Sequence, residues 1–176
     1  MARTTREWWE DVSNNPDKMV DWLKKQYHGE VTAESRIRHM IEKYDLKGKE
    51  AYTIERIADD EKKHAEWVKE LLTNRGITAE ILDKEERYWN ETLPAAENKS
   101  FSYMCAVGHL AETMRLDRIR LLASDTRFTD IATTFNMILS DEQYHASAFK
   151  TMTTKEDIEA ATPHHNNGLN ALGLAA

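Results

Sequence analysis

Apolar residues recur every three or four positions along most of this chain, and strict apolar–polar alternation is nearly absent. That is the helical period. Asn14-Asn15-Pro16-Asp17 reads as a helix start: a capping side chain, a proline in the first turn, then an acid. The spacing predicts a first long helix from there to about Tyr44, with the stripe Val20, Leu23, Tyr27, Val31, Glu34, Ile37 or Arg38, and Ile41. Gly29 lies inside it and costs about 1 kcal/mol relative to alanine, so it marks a place where the helix could break. A second helix is predicted over about 49–74, with the stripe Ala51, Ile54, Ala58, Glu61, His64 or Ala65, Val68 and Leu72; Gly76 follows its end. Residues 75–100 form a crossover in which Thr78 caps a helix to about Asn90, with Pro94 as its stop. A third long helix covers about 100–124. A fourth covers about 126–151, with the stripe Ile131, Phe135, Ile138, Glu142, His145 and Phe149. The expected organisation is a lead-in over 1–15 with a short amphipathic helix, an all-α four-helix bundle over 16–152, and a loose tail over 153–176. Trp8, Trp9 and Trp22 suggest a packed lid or a partner contact near the start.

The stripes face the bundle core and should be apolar. Each instead contains a carboxylate: Glu34, Glu61, Glu112 and Glu142. The second and fourth helices add a histidine three residues on, at His64 and His145, which puts each Glu and its His on one face. Four unpaired carboxylates in a low-dielectric core are costly, so they must be protonated or face something cationic. Two divalent cations would balance them, and oxygen-rich ligation with two imidazoles suits iron or manganese. A salt-bridged core using Arg38 and Arg115 is the alternative.

The chain also repeats itself. Residues 59–66 read DDEKKHAE and residues 140–147 read SDEQYHAS, sharing Asp-Glu-x-x-His-Ala. Ala33-Glu34 and Ala111-Glu112 precede them by 27 and 30 residues from Glu to Glu. Two hairpins with equivalent acids imply a pseudo-two-fold axis through one site.

Composition narrows the chemistry further. With 24 Lys and Arg against 31 Asp and Glu, the net charge is −7, which argues against nucleic acid as a partner. The single cysteine excludes a disulfide framework and a four-thiolate iron centre, and fits a reducing compartment. No apolar run approaches membrane-spanning length, and the N-terminal residues are too polar for a signal peptide, so a cytoplasmic protein is expected.

The DExxH pairs and lone acids resemble the ferritin-like di-iron carboxylate superfamily, which includes bacterioferritin, rubrerythrin and di-iron oxygenases. The resemblance covers about residues 16–152. It implies a ferritin-like bundle holding two iron ions, with manganese as an alternative. Glu34 and Glu112 would be terminal ligands, Glu61 and Glu142 would bridge, and His64 and His145 would each hold one metal. Asp60 and Asp141 resemble the acids that orient the histidines. Where rubrerythrins carry an extra glutamate, this chain has Arg115 or Leu116, and one cysteine cannot build their iron–sulfur module. The resemblance therefore implies an oxidase or oxygenase of a small organic substrate, using O2 or peroxide and an external electron donor. Iron oxidation or peroxide detoxification is the alternative, and a non-catalytic bundle the third reading. A homodimer is an assembly open to it.

Four further residues lie near the expected ligands. His109, three before Glu112, is an extra ligand, a proton relay or a core histidine. Glu30, one turn before Glu34, reaches the metals or is solvated. Arg38 and Arg115 pair nearby acids or hold a substrate carboxylate.

Overall fold

A computed structural model of the chain describes residues 4–174. It contains α1 (Thr5–Ser13), α2 (Pro16–Lys43), α3 (Gly48–Thr73), α4 (Arg87–Ala96), α5 (Phe101–Ser124), α6 (Thr129–Thr151) and α7 (Lys155–Leu172), with no strand among the described residues. The all-α bundle holds: α2 pairs with α3, α5 pairs with α6, and α3 faces α6 between the hairpins. None of the described helices is long and apolar enough to cross a membrane.

The caps follow the local chemistry. Asn15 accepts from the amides of Asp17 and Lys18, with Pro16 in the first turn. Thr4 and Glu7 form a reciprocal capping box on α1. Gly29 does not break α2, which runs unbroken for 28 residues. The tryptophans do form a lid. Trp9 is 1% exposed, packs edge-on against Trp22 and Phe128, and donates its Nε1–H to Asp125 Oδ2 at 2.6 Å. Trp22 in turn contacts Phe135 of α6.

Two expectations are corrected. The crossover helix does not start at Thr78: residues 77–86 run as a non-helical strap, and the helix begins at Arg87 and carries Pro94 in its last turn. The cause is a buried histidine. His28 of α2 accepts the Leu82 N–H at 3.0 Å through Nδ1 and binds Glu86 through Nε2, which gives the strap backbone a partner other than a helical turn. The tail is not loose over 155–172, where α7 packs against α4 and α5. Thr154 caps it by accepting the Asp157 N–H, Gly173 ends it at φ 74°, and Ala161, Gly168 and Leu169 are buried. Tyr88 of α4 meets His165 Nδ1 through its hydroxyl at 2.7 Å. Residues 1–3 of the lead-in and 175–176 of the tail lie outside the described residues.

The apolar core is split into two clusters, one towards each end of the bundle. Ala33, Ile37, Ile54, Ala58, Val107 and Phe149 belong to one, and Leu23, Val68, Leu72, Ile119, Phe135 and Ile138 to the other. Every long helix carries a buried glutamate between them, and α3 and α6 add His64 and His145.

Gly168 tests the docking of α7. A Cβ there would lie 2.5 Å from Tyr88 Cδ2, inside a buried contact. Gly168→Ala should therefore cost about 1–3 kcal/mol in urea unfolding. An unchanged midpoint would contradict a packed α7.

Candidate metal centre

The polar layer is as deeply buried as the apolar core. Glu30, Glu61, His64, Glu112, Glu142 and His145 are all 3% exposed or less. α2, α3, α5 and α6 contribute to it, so helix packing alone brings the groups together. One ligand atom from each of Glu30, Glu61, His64 and Glu142 lies within 4.8 Å of the others. His64 Nδ1 is 3.9 Å from Glu30 Oε2, 3.8 Å from Glu61 Oε2 and 3.8 Å from Glu142 Oε1. On the far side, His145 Nδ1 is 3.4 Å from Glu61 Oε1 and 3.5 Å from Glu142 Oε2. Glu61 and Glu142 thus face both histidines and occupy the middle.

The backs of the imidazoles are tied crosswise. His64 Nε2 lies 3.2 Å from Asp141, and His145 Nε2 lies 3.5 Å from Asp60. Each DExxH pair therefore supplies the acid that orients the other pair's histidine. This sets Nε2 as the N–H donor and turns Nδ1 inward as a ligand nitrogen.

Five inward atoms are buried without a hydrogen-bond partner: both oxygens of Glu61, Glu142 Oε2, His64 Nδ1 and His145 Nδ1. Unsatisfied buried polar atoms are rare because each forfeits its hydration. Five facing one another fit a cation that would complete them, and carboxylate oxygens with imidazole nitrogens suit iron or manganese.

A family model described as Rubrerythrin matches residues 21–153. The chain belongs to the rubrerythrin family. The match spans all four long helices and the cluster they enclose. No curated protein and no solved structure gives a significant match.

Within this rubrerythrin-family frame, five of the six expected ligands lie in the layer and one does not. Glu34 points outward at 27% side-chain exposure, and Arg38 holds it at 2.8 Å. Arg38 also binds Asp59 at 2.8 Å, so it serves the surface. Glu30 takes the place expected of Glu34, with Gln26 donating to its carboxylate. The buried residues of α2 are Met19, Trp22, Leu23, His28, Glu30, Ala33, Ile37 and Met40; Leu23 and Ile37 match the expected stripe, while Met19, Glu30, Ala33 and Met40 each precede by one the positions expected at Val20, Val31, Glu34 and Ile41. The internal repeat carried the missed signal: Glu30 precedes Glu61 by 31 residues and Glu112 precedes Glu142 by 30, a closer match than Glu34 gives. His109 is also outside the cluster; its Nδ1–H donates to the Ala146 carbonyl at 2.9 Å. Arg115 does reach the layer and donates to Glu112 Oε2 at 3.2 Å.

The electrostatics express an uncompensated negative layer. Burial and the neighbouring Glu142 push the Glu112 carboxyl up to about 8, against the pull of Arg115. Burial and Glu61 raise Glu30 well above the carboxylate range. Burial also opposes charge on Glu61, but His145 and His64 hold it well below that range. Burial lowers His64, yet Asp141 and Glu61 outweigh it and carry the ring up to about 10. Protons on Glu30, Glu112 and His64 thus offset part of the layer's negative charge.

Two predictions follow from this geometry. Glu30→Ala should cut bound metal per chain and Glu34→Ala should leave it unchanged, as read by elemental analysis; the reverse pattern would put the α2 ligand at Glu34. The second concerns pH. Glu112 binds its proton up to about 8 when folded but only to about 4.3 when unfolded, and His64 up to about 10 rather than 6.5. The native state then holds more protons across this range, so stability falls as pH rises. Chelator-stripped protein should melt progressively lower from pH 5 to pH 8, while the gain in Tm on adding Mn(II) grows, because binding displaces those protons. A melting temperature that rises over this window without metal would contradict the buried proton-holding cluster.

Proposed function

We propose that this chain is an oxidoreductase holding two iron ions, or a manganese–iron or dimanganese pair, and acting on O2 or peroxide to oxidise a small organic molecule. An external donor supplies electrons. The observation that carries the reading is the convergence of five buried, unpartnered ligand atoms from α3 and α6 on one point. Bound there, the metals would supply the redox equivalents and the open coordination positions. Glu61 and Glu142 would lie between the two ions, Glu30 and His64 would hold one, and Glu112 and His145 the other.

The protein's own contribution is orientation, access and protons. Asp141 and Asp60 fix the imidazoles, so both Nδ1 atoms face inward without rearrangement. The two apolar clusters keep water from the ends of the layer. Access is lateral, between α2 and α5. A cavity of about 180 Å³ reaches Glu30 and Glu142 there, walled by Tyr88 and Trp89 of α4 and edged by Arg115 and Arg118. Glu112 holds a proton beside Glu142, and Arg115 stabilises its charged form when that proton leaves.

Family membership favours a second reading, an iron-oxidising or peroxide-detoxifying protein. The two arginines at the edge of the lateral cavity, Arg115 and Arg118, favour an anionic organic substrate.

Anaerobic Fe(II) titration should reach two irons per chain, and adding O2 or peroxide should then consume it in a burst. Glu61→Ala and His145→Ala should abolish both, with folding checked by circular dichroism. Iron that binds but consumes neither oxidant would overturn the oxidoreductase reading.

A further inference from the structure

A second cavity, of about 400 Å³, lies beside the lateral opening between the C-terminal half of α2, α4 and the start of α5. Its wall is largely apolar, formed by Met40, Trp89, Leu93 and Met104. Its polar groups are unbalanced. Arg36 reaches it from α2, with its guanidinium carbon 3.9 Å from the centre of the Trp89 ring, and makes no hydrogen bond or ion pair among the described residues. Two turns on, the Tyr44 ring lines the same cavity, while its hydroxyl is buried out of reach of it. Lys43 adds positive charge at the edge, against one acid, Glu97. A largely buried guanidinium usually has a carboxylate across from it. Burial and the neighbouring Arg115 hold this one down to about 10, outweighing the pull of Glu86, Glu112 and Glu61, none of which it pairs with directly.

We propose that this cavity is a binding site for a small organic monocarboxylate with an apolar body, whose carboxylate pairs with Arg36. The volume is within the range of ordinary small-molecule sites and suits a chain or ring system of roughly a dozen heavy atoms. Planar N–H donors match a carboxylate, and stacking on Trp89 fixes the plane of the fork. Met40, Leu93 and Met104 receive the apolar body. The cavity also adjoins the metal layer. A void of about 20 Å³ shares Arg36, Met40, Trp89 and Met104 with it, and has Glu112 and Arg115 on its other side. That such a ligand is the substrate of the centre rests on the function proposed above; its binding does not, and is tested separately.

The probe is decanoate, titrated calorimetrically into full-length protein both chelator-stripped and Mn(II)-loaded. 1-Decanol serves as the uncharged control and acetate as the control lacking a body. Decanoate should bind at one per chain in both forms, at least tenfold tighter than either control. Arg36→Gln should weaken it by about ten- to a hundredfold, as for loss of a charge-assisted hydrogen bond. Arg36→Lys should restore part of the affinity lost in Arg36→Gln. Thermal melts confirm that each variant is folded. Decanol binding as tightly as decanoate, an unaltered affinity in Arg36→Gln, or no decanoate binding would each overturn the proposal. Loss of metal binding with decanoate affinity intact would instead count against the centre alone.

Discussion

The structure depends on the cost of holding four glutamates in a helical core without water. Each long helix contributes one at the same height, and the layer they form divides the apolar core in two. An unpaired charge at such depth is destabilising by several kcal/mol, which no local helix propensity can offset. The chain answers with its two histidines, tied crosswise to Asp60 and Asp141, and with Arg115 at the edge. These leave the inner faces of Glu61, Glu142, His64 and His145 unsatisfied. Membership of the rubrerythrin family and a buried donor set that fits a cation are therefore one observation made from sequence and from packing.

The rest of the architecture surrounds that layer. The tryptophan lid closes one end through Trp9 and Asp125. On the side between α2 and α5, the strap pinned by His28 leads into α4, which places Tyr88 and Trp89 over the opening, and α7 backs α4 from outside. One helix thus faces three environments. α2 turns Glu30 inward, Glu34 and Arg38 to solvent, and Arg36 towards an apolar cavity.

Much of this was legible in the sequence, because the repeated Asp-Glu-x-x-His-Ala sits on stripes whose other members are unambiguous. Ile54, Ala58, Ile131, Phe135 and Ile138 leave α3 and α6 one possible buried face. α2 is different. Trp22 and Leu23 are both buried neighbours, while Val20 and Val31 sit half-exposed, so two faces about 100° apart have similar apolar content. That ambiguity exchanged Glu34 for Glu30. The tail was misread because Pro163, Gly168 and paired histidines look like loop composition, although Ile158, Ala161, His165 and Leu169 keep the helical period. The strap was not legible at all: it depends on His28, some 54 residues away in sequence from the amide it captures.

The most direct test of the central claim is a crystal structure of the metal-loaded protein, with anomalous scattering recorded at the iron and manganese edges. The account predicts two ions inside the four-helix layer, with Glu61 and Glu142 between them, one ion on Glu30 and His64, the other on Glu112 and His145. A layer that stays free of metal at saturating concentration, with Glu61 and Glu142 paired instead to protein cations, would contradict it. So would a single ion held outside the layer through Glu34.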